Sequence, residues 1–481
     1  MINAAFICGL TGWVVAIFSG AFVVPLIVSL VMGDGATRPF VASLLITLSL
    51  GALLIFLGGQ EARQEPRYRE GLAVVGLSWL SINLLGALPY WLSGQLGFWD
   101  GLFESFAGLS STGGSVIKDL TVVPQGILFW RSLSQWLGGM GIIVLMVAIL
   151  PFLGVGGQIM LKSESSGAAM EKFRPRVAQT AKCLWLVYLG LTILLFALLV
   201  LGGLKPFDAL CQGLSVISTG GFSNYNESAA HHQSVYIHWV LIIFMLLGSL
   251  SFAMIYQVFR GQWRALYNPE AIFFLLIILG FTTLVAVPLI YGGYYSPARS
   301  FFHAVFQVVS VISTTGLSTA DWGAWPEISK AGLLALFFVG GCSGSTSGGL
   351  KCVRWLILFK SLHRVFRQYI HPRGVFPVRL GGKPLSDQVL EKVWLYFLLY
   401  MISVIIGSLL LLLMGLDLGT SLTAVASCLG NVGPVLGQLG PTSDLSLLPG
   451  PAKGVLSLCM LLGRLEFYSV LILIFPEFWS R

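Results

Sequence analysis

The chain has 481 residues, of which 56% are hydrophobic and 10% are charged. Since a soluble domain carries about 25% charged residues, this composition excludes a soluble globular protein and indicates a polytopic protein of the lipid bilayer. The net charge of +8 comes from short loops between apolar segments, so it reflects the membrane topology of the chain. The same basic loops are also compatible with binding of an acidic cytoplasmic partner. We therefore predict no nucleic-acid partner.

Apolar runs of about 18 or more residues predict about ten membrane-spanning helices. In chain order these runs are 4–31, 40–58, 71–93, 127–151, 180–203, 237–259, 270–292, 330–359, 392–416 and 453–475. The first run is too long for a signal peptide and lacks a basic start and a small-residue cleavage site, so we expect it to be retained. The sequence therefore predicts an all-α polytopic membrane protein with one continuous membrane body.

Lysine and arginine are concentrated in alternate loops. One side of the predicted membrane body holds 19 of these 28 residues, and the other side holds seven. The basic loops contain Arg63, Arg67, Arg69, Lys162, Lys172, Arg174, Arg176, Lys182, Arg260, Arg264 and the basic residues of the segment 351–392. The positive-inside rule places these loops and both termini in the cytoplasm. We expect a multi-pass protein of the inner (cell) membrane.

Four segments between the predicted helices are too short to span a membrane and too apolar to be solvated loops. They read FWDGLFESFAGLSSTGG (98–114), PFDALCQGLSVISTGG (206–221), FFHAVFQVVSVISTTG (301–316) and LGTSLTAVASCLGNVG (418–433). Apolar segments of about 10–14 residues are candidates for re-entrant helices. We therefore expect each segment to enter the membrane and return on the same side.

These segments belong to a fourfold internal repeat. The residues Gly113, Gly221, Gly316 and Gly433 align at spacings of 108, 95 and 117 residues. A second register runs through the helices that follow, whose midpoints read GGMG (138–141), GSLS (248–251), GGCS (340–343) and GRLE (463–466). The two agreeing registers predict four repeats, each made of a helix, a re-entrant helix and a second helix. The predicted repeats are 61–157, 158–265, 266–365 and 366–481. Residues 1–60 form a two-helix N-terminal extension outside the repeats.

The glycine turns that end the re-entrant segments point to cation binding. Irregular backbone at membrane depth persists only where protein or a water-filled cavity satisfies it, and four equivalent copies would surround one central pore. Each re-entrant helix would direct the negative end of its dipole toward this pore, and the glycine turn would offer backbone carbonyls to a dehydrated cation. A single turn of this kind would be read as a tight turn between helices; four in one register favour an ion site.

The four turns resemble those of the Trk/Ktr/HKT superfamily of potassium transporters, and within it the TrkH/TrkG branch. The resemblance rests on Ser111-Thr-Gly113, Thr219-Gly-Gly221, Thr314-Thr-Gly316 and Gly430-Asn-Val-Gly-Pro434, and it covers essentially the whole chain. It implies four membrane-pore-membrane units after two extra helices and K⁺ as the transported ion. The residues of the implied selectivity filter are Ser111, Thr112, Gly113, Thr219, Gly220, Gly221, Thr314, Thr315, Gly316, Asn431, Val432 and Gly433.

A glycine- and serine-rich stretch interrupts the apolar run 330–359. The stretch 340–349, GGCSGSTSGG, contains no strong helix former and should break the helix; a helix softened for close packing is the alternative. The resemblance makes it a gate beneath the filter. The implied gate residues are Gly340, Gly341, Ser343, Gly344, Ser345, Thr346, Gly348, Gly349, Lys351 and Arg464.

Two charged residues fall within the last apolar run, at Arg464 and Glu466. Charges inside a membrane are expensive and usually functional, so Arg464 either holds the gate by hydrogen bonds or forms a structural pair. Residues two positions apart in a helix lie about 200° apart around its axis. We therefore expect Glu466 to face away from Arg464 and to brace a neighbouring helix.

The chain carries no P-loop, dinucleotide fingerprint or metal motif, and its seven dispersed cysteines predict neither disulfides nor a metal site. We therefore expect no enzyme activity, no nucleotide bound to this chain, and K⁺ at the filter as the only metal ion. The resemblance implies a membrane homodimer and a cytoplasmic ring of TrkA-type nucleotide-binding subunits, which we place on the basic loops. Proton-coupled transport stays open beside channel-like permeation.

Two other functions are compatible with parts of the sequence. The potassium-translocating subunit of a P-type pump complex shares the four-unit plan, although such subunits are longer. The residues Gly341-Cys-Ser343-Gly344 match the GxSG motif of rhomboid-like membrane proteases, which need a histidine near the serine. All six histidines lie outside the predicted membrane interior, which makes this second alternative remote.

Overall fold

The computed structural model describes residues 3–59, 68–153, 173–437, 440 and 445–479. The predicted repeat boundaries at 60/61 and 157/158 lie outside these residues, as do Arg63, Arg67, Lys162 and Lys172. The N-terminal extension consists of α1 (Ala4–Ser19), a 3-10 turn (Gly20–Phe22), α2 (Val23–Met32) and α3 (Thr37–Gly58).

Glycines allow the two N-terminal spans to pack closely. A Cβ atom on Gly12 would lie 2.7 Å from the backbone nitrogen of Ile55, and one on Gly58 would lie 2.3 Å from the Cα of Gly9. Small residues permit such close backbone approach between helices in membranes. The loop residue Asp34 then joins the extension to the first repeat, because its Oδ2 accepts a hydrogen bond of 2.6 Å from the Gly126 amide.

The four repeats follow the predicted order of helix, short helix and helix. Repeat 1 contains α4 (Tyr68–Gly86), α5 (Leu88–Leu92), α6 (Phe98–Leu109) and α7 (Gln125–Leu153). Repeat 2 contains α8 (Phe173–Leu201), α9 (Pro206–Ile217), α10 (Val235–Ser249) and α11 (Phe252–Phe259). Repeat 3 contains α12 (Pro269–Tyr291), α13 (Pro297–Ile312), α14 (Glu327–Leu336) and α15 (Cys352–Ile370). Repeat 4 contains α16 (Asp387–Leu413), α17 (Leu418–Gly430), α18 (Gly450–Arg464), α19 (Tyr468–Leu471) and α20 (Pro476–Trp479).

Within the described ranges, six helices are long and apolar enough to cross a membrane, or seven if the bent pair α10 and α11 counts as one span. These correspond to seven of the ten predicted runs. The remaining runs, 127–151, 330–359 and 453–475, contain α7 and two helices that are interrupted. The predicted all-α membrane fold with four repeats is confirmed, whereas the exact boundaries between repeats stay predictions.

The second helices of repeats 2, 3 and 4 are interrupted near the aligned glycines. The break in repeat 3, between Leu336 and Cys352, is the one that the sequence predicted. The prediction of a continuous helix over 237–259 was wrong, because the chain bends by 105° between Ser249 and Phe252. The last run was also predicted to be continuous, but α18 ends at Arg464 and both Glu466 and Phe467 have positive φ angles, of 58° and 52°.

In repeats 1, 2 and 4 the aligned glycine of the second helix packs against the end of the short helix. A Cβ on Gly138 would lie 1.9 Å from the Leu109 carbonyl oxygen, and one on Gly463 would lie 2.0 Å from that of Leu429. The equivalent distance from Gly248 to the Ile217 oxygen is 3.1 Å. Because each contacted residue stands four positions before an aligned turn glycine, the two registers found in the sequence meet in space.

A small β-hairpin in the basic segment 351–392 was not predicted. Its strands, β1 (Arg379–Leu380) and β2 (Lys383–Pro384), pair antiparallel. Gly381 and Gly382 both have positive φ angles, which a two-residue hairpin turn requires. The segment is therefore a structured surface element between α15 and α16.

Candidate functional site

Each short helix ends in the same backbone turn, which we call a glycine loop; the four are Ser111–Gly113, Thr219–Gly221, Thr314–Gly316 and Asn431–Gly433. The first residue of each loop is left-handed, with φ angles of 56°, 53°, 60° and 53°. The middle residue donates its N–H to the carbonyl five residues earlier at 2.8–2.9 Å, as Thr112 does to Ala107. This pattern is a Schellman-type helix end.

Residues with side chains are uncommon at this left-handed position, and β-branched ones are rarer still. Threonine occupies it in the second and third loops, at Thr219 and Thr314. A backbone held in a sparsely populated region, and repeated four times, points to a functional constraint. The glycine at the third position is also left-handed in all four loops, with φ angles of 76°, 79°, 79° and 107°.

The four loops form a closed ring. A Cβ on Gly113 would lie 2.2 Å from the Gly220 carbonyl oxygen, and one on Gly221 would lie 1.6 Å from that of Thr315. In the same way, a Cβ on Gly316 would lie 2.2 Å from the Val432 oxygen, and a Cβ on Gly433 would lie 2.4 Å from the Thr112 oxygen. Each loop therefore places its glycine against the middle carbonyl of the next loop, and the fourth closes on the first.

The ring of glycines forms the floor of a cavity of about 360 Å³. Its lining carries Lys118 and Arg131 but no carboxylate among the described residues. Tyr225 also lines it and donates a hydrogen bond of 2.8 Å to Asp208. Burial, followed by this hydrogen bond, raises the pKa of Tyr225 to about 12, so the phenol stays neutral at physiological pH.

A buried ion pair supports the first glycine loop from behind. The Arg131 Nε donates to Glu104 Oε1 at 2.7 Å, and these side chains are 1% and 0% exposed. The Glu104 carboxylate also accepts from the Ser115 hydroxyl and the Val116 amide, and Arg131 donates to the Ser223 carbonyl of repeat 2. The pair therefore ties the chain after the first loop to the chain after the second.

We expect Glu104→Ala to destabilise the protein by about 3–5 kcal/mol, because it leaves the buried Arg131 guanidinium without its counter-charge. Thermal unfolding of the detergent-solubilised full chain would measure the effect. The matched control is Glu327→Ala, which removes the ion pair of a 91% exposed glutamate with Lys330 and should change the midpoint little. Equal shifts for the two variants would contradict the prediction.

The stretch 340–349 lies against the opposite side of the ring from the cavity. The Thr346 hydroxyl donates to the carbonyls of Ile217, at 3.1 Å, and Gly248, at 3.0 Å. The Ser347 hydroxyl donates to the Ser313 carbonyl at 2.8 Å, and the Gly348 amide donates to the Thr314 hydroxyl at 2.8 Å. These residues are buried, so the stretch packs closely against this side of the ring.

The rest of the stretch turns back on itself and is stabilised by hydrogen bonds within it and from Lys351. Gly340, Gly344, Gly349 and Lys351 have positive φ angles, of 75°, 75°, 74° and 60°. A Cβ on Gly341 would lie 2.6 Å from the Ser347 hydroxyl. The Ser345 hydroxyl donates to the Cys342 carbonyl, and the buried Lys351 ammonium donates to the Ser347 carbonyl. The predicted residues are therefore together, although only part of the stretch contacts the ring.

Glu270 joins this stretch to the start of α15. Its Oε1 accepts from the Ser343 amide at 2.6 Å and from the Val353 amide at 3.1 Å. Nothing in the sequence distinguishes Glu270 as a site residue, because Asn268-Pro-Glu270 reads only as a helix start. Sequence reasoning also missed Ser313 and Gln135, which contact the glycine loops, and Ser347, which donates to the Ser313 carbonyl just before the third loop.

Arg464 connects the stretch with the first repeat. The guanidinium donates to the Thr346 carbonyl at 2.6 Å, the Ser111 hydroxyl at 3.1 Å and the Gly138 carbonyl at 3.2 Å. Arg464 is the last residue of α18 and Glu466 lies beyond the helix, so the prediction that both occupy one helix about 200° apart was wrong. The expectation that Glu466 braces a neighbouring helix is confirmed, since its carboxylate pairs with Arg354 of α15 at 2.7 Å.

Comparison with known proteins gives a family match along nearly the whole chain. A family model described as "TrkH: Cation transport protein" matches residues 37–480. The chain is 37% identical over 475 residues to "Trk system potassium uptake protein TrkH" of Halomonas elongata, covering 98% of both chains. It is 36% identical over 478 residues to the protein of the same name from Escherichia coli K12, again covering 98% of both.

A solved structure shares the fold. The crystal structure of the potassium transporter TrkH from Vibrio parahaemolyticus matches with a TM-score of 0.92 and 35% sequence identity. The match covers 99% of this chain and 100% of that one. The ring and the buried stretch beneath it therefore lie in a fold that also belongs to a known transporter.

Proposed function

This chain belongs to the TrkH family of cation transport proteins, and we propose that it is a potassium uptake protein in which K⁺ passes through the ring of glycine loops. The observation that carries the proposal is the closed ring, in which four backbone carbonyls each lie against the glycine of the neighbouring loop. Permeation is passive and runs down the electrochemical gradient. Proton-coupled transport is the alternative mechanism that the flux experiment below separates.

The chemistry of the ring favours a monovalent cation. Backbone carbonyls replace the hydration shell of K⁺ in potassium-selective pores, and the four short helices end at the ring, which directs the negative ends of their dipoles toward it. Divalent cations prefer sites with carboxylates, and the Glu104 carboxylate, which accepts from Ser115 two residues after the first loop, is engaged by Arg131. The filter carbonyls that we propose are those of Ser111, Thr112, Thr219, Gly220, Thr314, Thr315, Asn431 and Val432.

We propose that the stretch 340–349 is the gate of this pore and that Arg464 holds it closed. The support is the set of hydrogen bonds from Thr346, Ser347 and Gly348 to the underside of the ring, together with the bond from Arg464 to the Thr346 carbonyl. A guanidinium at this place also repels cations. Movement of the stretch would have to break these bonds, so the closed state is defined by a small number of contacts.

Regulation is proposed to come from a cytoplasmic TrkA-type nucleotide-binding ring beneath a membrane homodimer. The basic segment 351–392 is the proposed docking region, in a chain whose termini both lie in the cytoplasm. Part of its charge is already engaged, since Arg364 pairs with Asp387 at 2.6 Å and Arg367 lies over the Phe376 ring. Arg373 is exposed and remains available for an acidic partner surface.

The decisive experiment is ion flux into liposomes that contain the purified full chain. We expect faster K⁺ than Na⁺ flux, and we expect Gly113→Ser to reduce the K⁺/Na⁺ ratio, because a side chain there would meet the Gly220 carbonyl at about 2.2 Å. Equal K⁺ and Na⁺ flux in the unsubstituted protein would refute the filter assignment. Flux that is accelerated by an inwardly directed proton gradient would show coupled transport.

The family match also bears on the two alternatives. Membership of the TrkH family favours the uptake protein over the subunit of a P-type pump complex. The proposed protease nucleophile, Ser343, has its amide bonded to Glu270, and the hydrogen bonds of the described histidines go to other residues. Transport is therefore the function that we propose.

A further inference from the structure

Gln135 of α7 is joined by three hydrogen bonds to the second glycine loop and the residues beside it. Its Nε2 donates to the Gly220 carbonyl at 2.9 Å. Its Oε1 accepts from the Ser215 hydroxyl at 2.7 Å and from the Phe222 amide at 3.1 Å. The side chain is fully buried, so this one amide from repeat 1 holds the chain before, within and after the loop of repeat 2.

Gln135 also occupies the space behind the loop. A Cβ on Gly220 would lie 2.3 Å from Gln135 Cδ and 2.4 Å from its Oε1. Gly220 is not among the residues with positive φ, so the neighbouring side chain, and not the backbone conformation, requires glycine there. The other three loops carry a buried β-branched residue at this middle position, namely Thr112, Thr315 and Val432. In the second loop the Gln135 side chain fills the corresponding volume.

This arrangement makes one quadrant of the ring different from the others. Gln135 stands three residues before Gly138, and the equivalent residues of the other repeats are Met245, Phe337 and Met460. Among the hydrogen bonds of the described residues, Gly220 is the one middle residue of the four loops whose carbonyl accepts from a side chain. The Gly220 carbonyl is also the oxygen against which Gly113 packs, so its position fixes the contact between the first two loops.

We propose that Gln135 is a positioning residue that sets the ion selectivity of the ring through the Gly220 carbonyl. Its side chain also fills the volume that a side chain at position 220 would occupy. The proposal rests on the proposed function of the ring as a potassium filter. The Gln135 amide occupies one of the two lone pairs of the Gly220 oxygen, so it holds the carbonyl in a single orientation toward an ion. Without it, the carbonyl can turn to suit a smaller or a hydrated cation.

The first test compares Gln135→Leu with Gln307→Leu in the liposome flux assay. Leucine keeps most of the volume but loses all three hydrogen bonds. Gln307 is a buried glutamine of α13, and its amide has no hydrogen-bond partner among the described residues, so it is the matched control. We expect Gln135→Leu to lower the K⁺/Na⁺ flux ratio about tenfold, the equivalent of one hydrogen bond of ~1.4 kcal/mol, and Gln307→Leu to leave it unchanged.

The second test exchanges volume between the two positions. Gly220→Ala alone should lower K⁺ flux and the thermal unfolding midpoint, because its methyl group collides with Gln135. The double variant Gln135→Ala with Gly220→Ala removes that collision. It should recover a large part of the K⁺ flux and of the unfolding midpoint, although the Gln135 hydrogen bonds are lost. The unfolding midpoint gives a readout that remains even if Gln135→Leu folds poorly.

The outcomes separate this proposal from the one on which it rests. A potassium-selective unsubstituted protein together with an equally selective Gln135→Leu variant would overturn the positioning role and leave the proposed function standing. A double variant no better than Gly220→Ala alone would overturn the size match. Equal K⁺ and Na⁺ flux in the unsubstituted protein would overturn the proposed function first, and the selectivity role with it.

Discussion

Replacing Gly221 by alanine is expected to abolish K⁺ flux through the ring. The added Cβ would lie 1.6 Å from the Thr315 carbonyl oxygen, and the residue has a φ of 79° that side chains rarely adopt. Overpacking costs about 1–3 kcal/mol and a left-handed alanine costs about 1–2 kcal/mol more. A combined cost of ~2.7 kcal/mol corresponds to about a 100-fold loss of K⁺ flux, at 1.4 kcal/mol per factor of ten. Liposome K⁺ flux would measure this loss.

The control for Gly221→Ala comes from glycines that face open space in spanning helices. A Cβ on Gly190 or Gly280 would have no atom within 4 Å apart from the chain neighbours and the helix's own backbone, and alanine is the better helix former. Gly190→Ala and Gly280→Ala should therefore retain full flux. Flux through Gly221→Ala at the level of these controls would show that ions do not pass through the ring.

Replacing Arg464 by leucine is expected to raise K⁺ flux about tenfold in the absence of any cytoplasmic partner. The guanidinium makes three hydrogen bonds, to Thr346, Ser111 and Gly138. A hydrogen bond to a charged group contributes about 1.5–3 kcal/mol, so loss of the bond to Thr346 weakens the closed position of the stretch 340–349. Removing the positive charge also lowers the electrostatic barrier to a cation.

Lysine at this position separates the two effects, since Arg464→Lys keeps the charge but loses the planar fork of donors. We expect its flux to lie between those of the unsubstituted protein and Arg464→Leu. Arg379→Ala, at an exposed arginine of the hairpin strand β1, is the control and should not change the flux. Flux of folded Arg464→Leu that equals or falls below that of the unsubstituted protein would contradict a gating role.

The residues of the glycine loops could be predicted because they depend on local properties of the chain. A short apolar helix that ends in a hydroxyl or amide residue, a middle residue and a glycine is a pattern of residue type and spacing, and it recurs four times. The left-handed conformation at the third position follows from the glycine there, whereas Thr219 and Thr314 adopt one at the first position against their local preference. The break at 340–349 was predictable for the same reason, because ten consecutive weak helix formers leave a helix little to gain.

The break at Leu250–Ser251 could not be predicted, because its cause lies in another repeat. Within a continuous helix the carbonyls of Gly248 and Ser249 would accept from residues four positions ahead. Here they accept from the Thr346 and Cys342 amides, while the Phe252 amide donates to the Gly344 carbonyl. Backbone hydrogen bonds were exchanged between repeats 2 and 3, so the apolar pattern of 237–259 contained no sign of the bend.

The sequence by itself determined the number of repeats, the residues of the glycine loops and the place of the largest helix break. Only the tertiary structure decided which loop follows which around the ring, where α10 and α18 end, and that Gln135 of one repeat fills the space beside Gly220 of the next. The physical reason is the range of the interactions. Periodicity and turn chemistry are written in neighbouring residues, whereas steric fit and hydrogen-bond pairing join residues 85 positions apart, and these depend on how the repeats pack.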